Sequence, residues 1–331
     1  MKRATPFRYT CRVKPNSPSL SRQNFNPIIS RRTALTLLGG AAAAMAASPR
    51  SLALTVDPDW TTQLPPFRIA GNLFYVGSRD LASYLIATHI GLILINSNLV
   101  TSPLQIRASI EKLGFKWRQV KILLISHAHY DHCAGSAQIL KEIGAQYMVI
   151  DADVADIQSG GKSNFFYANR LEFHYPPSKV DRKLRDGDQV QLGKTTLTAH
   201  KTAGHTKGCT TWTLDTAVIP GHSEQSYKAV IIGSPYVLPG YNLIDDPKYP
   251  QMAADFRQQF VTLKSLPCDL FLGAHGGYFN LLEKYARLKA GPTANPFLDP
   301  QGYQAFIAER QQAFETELAR QQKAKPDKRP S

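Results

Sequence analysis

The sequence predicts a layered α/β domain in which buried strands and helices alternate along the chain. Short continuous apolar runs, such as 121–125 and 230–232, are typical of strands that are buried on both faces. Longer segments between them, such as 102–112, carry apolar residues at helical spacing. This alternation favours a sheet-based core covered by helices.

The remaining elements follow from the same patterns and from turn residues between them. Predicted strands span 67–77, 81–96 with a hairpin turn at 89–91, 121–125, 146–150, 190–192, 195–201, 230–232 and 269–272. Predicted helices span 102–112, 136–143, 249–266 and 301–322. We expect one domain over 54–322 and a disordered tail over 323–331, which is charged and contains proline.

Residues 1–53 have the pattern of an export signal. Arg31 and Arg32 form a twin-arginine pair, and an alanine-rich apolar run over 34–47 follows them. This run is short for a bilayer span, which needs about 20 residues. We therefore expect export to the periplasm by the twin-arginine route, without stable membrane insertion. A cleaved general-secretion signal and a retained anchor are the alternatives.

The distribution of charge argues against a nucleic-acid partner. The formal net charge is +14, but nine basic residues and no acidic residue lie in 1–53, which leaves +5 on the remainder. Both signs are interspersed there, unlike the basic stripe of a phosphate-binding surface.

The stretch 125–132 carries the strongest chemical signal in the sequence. His127, His129, Asp131 and His132 are four potential metal ligands that directly follow the predicted strand 121–125. The carboxyl ends of strands are where α/β folds place ligands. Zinc takes three or four nitrogen, sulfur or oxygen ligands at about 2.0–2.3 Å. Four donors within one short loop therefore favour two neighbouring metals, of which each needs further ligands from elsewhere.

Two more histidines occupy comparable positions. His205 follows the predicted strand 195–201, and His275 follows the predicted strand 269–272. Each has a neighbouring glycine, which allows the backbone to approach a ligand closely. We expect both to complete the metal site.

These motifs resemble those of the metallo-β-lactamase superfamily. Further segments, at 71–77, 204–212, 239–241, 266–275 and 295–302, resemble the third subclass of the class B metallo-β-lactamases. The similarity covers about 65–320. It implies an αββα four-layer sandwich with the site at the edge between the two sheets.

The resemblance also implies a ligand set and two zinc ions per chain. His127, His129 and His205 would bind the first zinc, and Asp131, His132 and His275 the second. The expected reaction is hydrolysis of the β-lactam amide by a dizinc-bound hydroxide, which gives antibiotic resistance. Asp131, beside the second metal, and Tyr241 are the candidate catalytic residues.

Ser234 and Tyr241 are the expected contacts of the substrate. Many hydrolases of this superfamily have a metal-bridging aspartate at the strand end where this sequence has Ser234. The absence of that carboxylate leaves more positive charge on the metals, which suits a departing amide nitrogen. Tyr241 resembles a tyrosine of the family that contacts the lactam carbonyl, with loop packing as the alternative role.

The expected partner is a small-molecule β-lactam, bound by a monomer. Because one fold carries many activities, another metal-dependent hydrolase such as a lactonase is the alternative function. A zinc-binding protein without catalytic activity is a third possibility. Some relatives also close a disulfide from the position of Cys268, but its partner region reads Gly302-Tyr303 here, so we expect Cys268 to be free and buried.

Overall fold

The computed structural model describes residues 56–219, 225–291 and 294–324. The predicted export signal and most of the predicted tail lie outside these ranges.

Twelve strands form two sheets in the described part of the chain. The strands are β1 Phe67–Ala70, β2 Leu73–Tyr75, β3 Tyr84–Thr88, β4 Gly91–Ile95, β5 Val120–Leu124, β6 Gln146–Ile150, β7 Arg182–Leu184, β8 Gln189–Leu192, β9 Thr195–Lys201, β10 Thr210–Asp215, β11 Lys228–Ile232 and β12 Leu270–Gly273.

Eight α-helices complete the described fold. They are α1 Pro58–Thr61, α2 Ser102–Lys112, α3 Tyr130–Cys133, α4 Ser136–Ile143, α5 Val154–Ser159, α6 Met252–Ser265, α7 Leu281–Lys289 and α8 Pro300–Ala324. None of these described helices is long and apolar enough to cross a membrane.

The first sheet contains β1 to β7 in chain order, and the second has the order β12-β11-β10-β9-β8. Strands β4 to β7 pair in parallel, as do β11 and β12, and the other pairs are antiparallel. Parallel pairing brings the carboxyl ends of neighbouring strands to one edge of the sheet, where the loops that follow them can meet.

Both faces of the first sheet are buried, as its continuous apolar runs predict. In β4, Ile93 and Ile95 belong to the core between the sheets, whereas Leu92 and Leu94 pack toward the helices. The core between the first sheet and its helices includes Ile106 of α2. The core between the sheets continues to α6 and α8 on the far side of the second sheet. These four layers confirm the predicted αββα sandwich.

The predicted strand 67–77 is divided in the structure. A turn at Gly71 separates β1 from β2, and Gly71 has a φ of +49°. A Cβ at this position would lie 2.1 Å from the carbonyl oxygen of Ala217, so both the backbone conformation and the space require glycine.

Other differences concern short elements and element ends. The predictions lacked β7, β10 and the helices α1, α3, α5 and α7, of which three have six residues or fewer. Short helices carry too few turns for a periodic pattern to be recognised. Helix α8 also continues through Ala324, two residues beyond the predicted end.

Cys133, Cys209 and Cys268 are all free thiols in the described structure. Cys268 is partly exposed rather than buried. Tyr303 lies in the region where some relatives carry the second cysteine, and its hydroxyl donates a hydrogen bond of 2.7 Å to the carbonyl of Leu263. A hydrogen bond thus joins α8 to α6 near this position.

Candidate metal centre

The loop that follows β5 presents four of the candidate ligands. Its first residues are held from both sides: Asn96 Oδ1 accepts the Ser126 N–H at 2.7 Å, and Trp212 Nε1 donates to the Ile125 carbonyl at 2.9 Å. Trp212 belongs to the second sheet, so this hydrogen bond anchors the loop where the sheets meet.

The backbone of this loop divides the ligands into two directions. His127 and His129 lie in the non-helical part, and His129 is the residue before α3. Asp131 and His132 lie within α3, so their side chains project in a different direction. This short helix is the structural reason that one local motif can serve two metals.

His205 and His275 come from the second sheet. His205 lies between β9 and β10, after Gly204, whose φ of +135° and proximity to Phe256 exclude a side chain. His275 follows β12. All six candidate ligands are at least nine-tenths buried, so the site is largely screened from bulk water.

The first donor set contains His127, His129 and His205. One ligand atom from each lies within 4.8 Å of the others. Within this set, His129 Nδ1 and His205 Nε2 lie 3.1 Å apart. Three buried imidazoles whose nitrogens converge without a carboxylate among them form a site suited to a divalent metal.

The second donor set is a compact triangle. Asp131 Oδ2 lies 3.2 Å from His132 Nε2 and 3.5 Å from His275 Nε2, and the two histidine nitrogens lie 3.1 Å apart. Ligands at about 2.0–2.1 Å from a tetrahedral zinc are about 3.4 Å from one another. The separations in this triangle therefore fit zinc.

His127, Asp131 and His132 also have ligand atoms within 4.8 Å of one another. The two donor sets are therefore adjacent rather than remote. The structure brings together all six ligands predicted from the sequence, while the metal-binding role of each remains a prediction.

The protonation of the histidines also favours metal binding. Burial lowers the pKa of His127 and His129 well below the usual value and lowers that of His205 to about 4. These rings are therefore neutral near pH 7. His205 Nδ1 donates to the Tyr236 carbonyl at 2.7 Å, which leaves the lone pair on Nε2, the atom that faces His129.

The second set carries charge. Burial raises the pKa of Asp131, but His132 and His275 outweigh that effect and hold it well below the usual value. Burial lowers the pKa of His275, but Asp80 and Asp131 outweigh it and raise the pKa to about 9. A metal at this set must displace a proton from His275, so binding there releases protons.

Ser234 lies two residues after β11 and is buried. Its hydroxyl oxygen is 3.1 Å from that of Tyr278. The Tyr278 ring packs against the ring of His275, with 5.2 Å between the ring centroids. Ser234 therefore contacts a tyrosine that itself packs against a candidate ligand of the second set.

Tyr241 is buried, and its hydroxyl donates to the His205 carbonyl at 2.7 Å. Its ring packs against Phe165 and Phe166. This arrangement supports the loop-packing role, and a contact with substrate remains a prediction.

Two supporting carboxylates were not found by sequence reasoning. Asp80 bonds to His275, and Asp153 bonds to the loops that carry His127 and His205. Asp153 directly follows the strand β6 and its short turn, so its strand-end position was a usable signal. Asp80 lies in a loop with no recognisable motif.

Comparison with known proteins gives a consistent assignment. Residues 82–292 match the metallo-beta-lactamase superfamily. The native FEZ-1 metallo-β-lactamase of Legionella gormanii is 52% identical, with a TM-score of 0.76, over 79% of this chain and 98% of that one. BJP-1, a subclass B3 metallo-β-lactamase of Bradyrhizobium japonicum, is 34% identical, with a TM-score of 0.74, over 81% and 98%.

Two further proteins extend the comparison. LRA-12, a class B3 di-zinc metallo-β-lactamase from an Alaskan soil metagenome, is 36% identical, with a TM-score of 0.73, over 78% of this chain and 96% of that one. A probable metallo-hydrolase of Burkholderia pseudomallei is 30% identical over 138 residues, so the match spans 44% of that relative. Since the family match covers most of the chain and the solved relatives share its fold, this chain belongs to the metallo-β-lactamase superfamily and resembles its B3 subclass.

Proposed function

We propose that this chain is a zinc-dependent hydrolase that opens the amide bond of β-lactams with two zinc ions and so gives antibiotic resistance. The observation that carries this proposal is the convergence of His127, His129 and His205, and beside them of Asp131, His132 and His275, in a chain that is 52% identical to native FEZ-1 over 98% of that enzyme. The di-zinc composition named for LRA-12 supports the count of two.

The first zinc would be held by His127, His129 and His205, and the second by Asp131, His132 and His275. Zinc bound in such sites polarises a carbonyl and lowers the pKa of a coordinated water to about 7. The protein must therefore supply ligand orientation, charge balance and a site screened from bulk water.

The described residues provide these functions. The Tyr236 carbonyl holds the proton of His205 on Nδ1 and so directs the Nε2 lone pair into the site. Asp131 is ionised and lies within reach of both donor sets, where it balances positive charge. This position makes Asp131 the side chain that we assign to catalysis.

Ser234 supports an amide rather than an ester as the substrate bond. With serine instead of a carboxylate at this strand end, the site keeps more positive charge. An amide nitrogen is a poor leaving group, and positive charge stabilises it as the ring opens. We further propose that a monomer suffices, because all six ligands come from one chain.

The test is hydrolysis of a chromogenic cephalosporin by the purified, zinc-loaded chain. A metal chelator should abolish turnover, and added zinc should restore it. Clavulanate, which acylates a serine, should have little effect. Ser126, the serine nearest to His127 in sequence, is fully buried, and its hydroxyl lies 3.2 Å from His127 Nδ1, a nitrogen of a proposed zinc ligand.

Asp131→Asn provides the matched test of the site. We expect its loss of kcat to exceed the roughly 10- to 100-fold typical of residues that only support a metal ligand. Asp215→Asn is the control, because the Asp215 side chain is 67% exposed and pairs with Lys228 far from the donor sets. A chain that binds two zinc ions but hydrolyses no β-lactam would contradict the proposal and favour another hydrolase of the same fold.

A further inference from the structure

Both carboxylate oxygens of Asp80 accept hydrogen bonds, one of them from His275. Asp80 Oδ2 accepts the His275 Nδ1–H at 2.9 Å and the Trp60 indole N–H at 3.1 Å. Asp80 Oδ1 accepts the Gly277 N–H at 2.9 Å. The carboxylate therefore contacts the ring of His275, the backbone two residues later and a side chain of the N-terminal turn α1.

We propose that Asp80 is a positioning residue for the second metal, and that Trp60 makes α1 part of that metal's support. The proposal rests on the metal-binding role given to His275 in the proposed function. It assigns to α1 a role in metal affinity as well as in packing.

The chemistry follows from which nitrogen of His275 carries a proton. When a metal displaces the proton from Nε2, Asp80 keeps the other proton on Nδ1, so the Nε2 lone pair is available to the metal. Nε2 is the atom that lies 3.1 Å from His132 Nε2 and 3.5 Å from Asp131 Oδ2. A carboxylate on the other nitrogen also fixes the ring plane and increases the basicity of the ligand.

Trp60 secures this carboxylate from the outside. The centroid of its indole ring lies 5.8 Å from that of the His275 ring and 6.2 Å from that of the Tyr130 ring. Its N–H occupies Oδ2 together with His275, so the carboxylate cannot turn away without losing both hydrogen bonds. The indole thus keeps Asp80 aligned with His275.

The turn α1 is attached directly to the loop that carries Asp80. The Asp80 N–H donates to the Asp59 carbonyl at 3.0 Å, and the Arg79 N–H donates to the Thr62 carbonyl at 2.9 Å. Arg79 Nε also bonds to Asp59 Oδ1 at 2.7 Å. These contacts hold Trp60 against the second donor set.

The two donor sets differ in the group that accepts the Nδ1–H of the histidine that each takes from the second sheet. Behind His205, the hydrogen-bond acceptor is the neutral carbonyl of Tyr236. Behind His275, it is the carboxylate of Asp80. Removal of the Asp80 charge should therefore weaken the second metal site and spare the first.

The experiment is a zinc titration of the full chain against a chromophoric chelator, which resolves two dissociation constants without a β-lactam. Asp80→Asn keeps the shape of the side chain but removes its charge. We expect it to weaken the second site by about 10- to 100-fold and to leave the first unchanged within the error of the titration. Trp60→Phe keeps a ring but removes the donor, and it should weaken the same site by a smaller factor.

Asp215→Asn is the matched control, since it makes the same change at an exposed aspartate that pairs with Lys228 and contacts neither Asp80 nor His275. It should leave both dissociation constants unchanged. Equal weakening of both sites by Asp80→Asn, no weakening at all, or a wild-type chain with a single zinc site would overturn the proposal. A wild-type chain with two zinc sites and no lactamase activity would contradict the proposed function alone.

Discussion

Thr206 donates a hydrogen bond of 2.8 Å to Oδ2 of Asp153, the same oxygen that accepts the Ala128 N–H at 2.9 Å. Asp153 Oδ1 accepts the Gly208 N–H at 2.7 Å. Ala128 lies between His127 and His129, and Thr206 follows His205. One buried carboxylate therefore joins the two loops that carry the first donor set.

Asp153 should make the stability of the protein depend on pH. Burial and the nearby Asp156 raise the pKa of Asp153 to about 7, against about 3.9 for an unfolded aspartate. Between these values the folded state binds more protons than the unfolded state. The free energy of unfolding therefore falls as pH rises through this window, by at most about 1.4 kcal/mol per pH unit.

Asp153→Asn removes this titration. In urea unfolding at pH 5, 6, 7 and 8, with equal zinc content, the stability of the wild type relative to the variant should fall up to about pH 7 and then level off. A difference that stays constant from pH 5 to pH 8 would show that Asp153 does not titrate in this range.

Metal content should respond separately to changes in the two donor sets. His205→Ala should remove mainly the first zinc, and Asp131→Ala mainly the second, from a wild type that holds close to two. Elemental analysis under zinc-replete conditions measures this. His200→Ala is the control, because His200 bonds to Thr213 on β10 and belongs to neither set. One zinc in the intact wild type would contradict the assignment.

Ser234→Asp should reduce amide hydrolysis much more than ester hydrolysis. The added carboxylate lowers the positive charge of the site, and an amide nitrogen depends on that charge more than an ester oxygen does. The comparison is kcat/KM for a β-lactam and for an activated ester. Ser234→Ala separates loss of the hydroxyl from gain of charge, and equal losses on both substrates in the Asp variant would refute the idea.

Tyr241→Phe should lower stability rather than substrate affinity. It removes the hydrogen bond to the His205 carbonyl, which costs about 0.5–1.5 kcal/mol, and keeps the packing against Phe165. Thermal unfolding and KM for a cephalosporin should be measured together. A raised KM with unchanged stability would instead support direct contact with the lactam carbonyl.

Replacement of Arg31 and Arg32 by lysine should leave the precursor in the cytoplasm. Lysine keeps the charge but not the guanidinium fork, so a receptor that reads the arginine pair should fail to bind. Cell fractionation followed by immunoblotting measures the outcome, with Arg22→Lys as the control. Normal periplasmic accumulation would exclude the twin-arginine route, although not export itself.

The ligand motif was predictable because it is local. Two residues apart in extended backbone, His127 and His129 face the same side, and the helical turn that follows redirects Asp131 and His132. The positions of His205 and His275 were also predictable, since each directly follows a strand that an apolar run or an alternating pattern reveals. The periods of side-chain direction in strands and helices connect these patterns to geometry.

The supporting contacts depended on the packing of the two sheets. Asp80 lies 195 residues from His275, and Asp153 lies 53 residues from Thr206. No local pattern predicts such pairs, because their distances depend on strand register and on the docking of loops from different layers. The sequence by itself determined which residues could bind metal and at which strand ends they lie. Only the tertiary structure decided which side chains hold them in place, because hydrogen bonds between distant segments form only after the layers have packed.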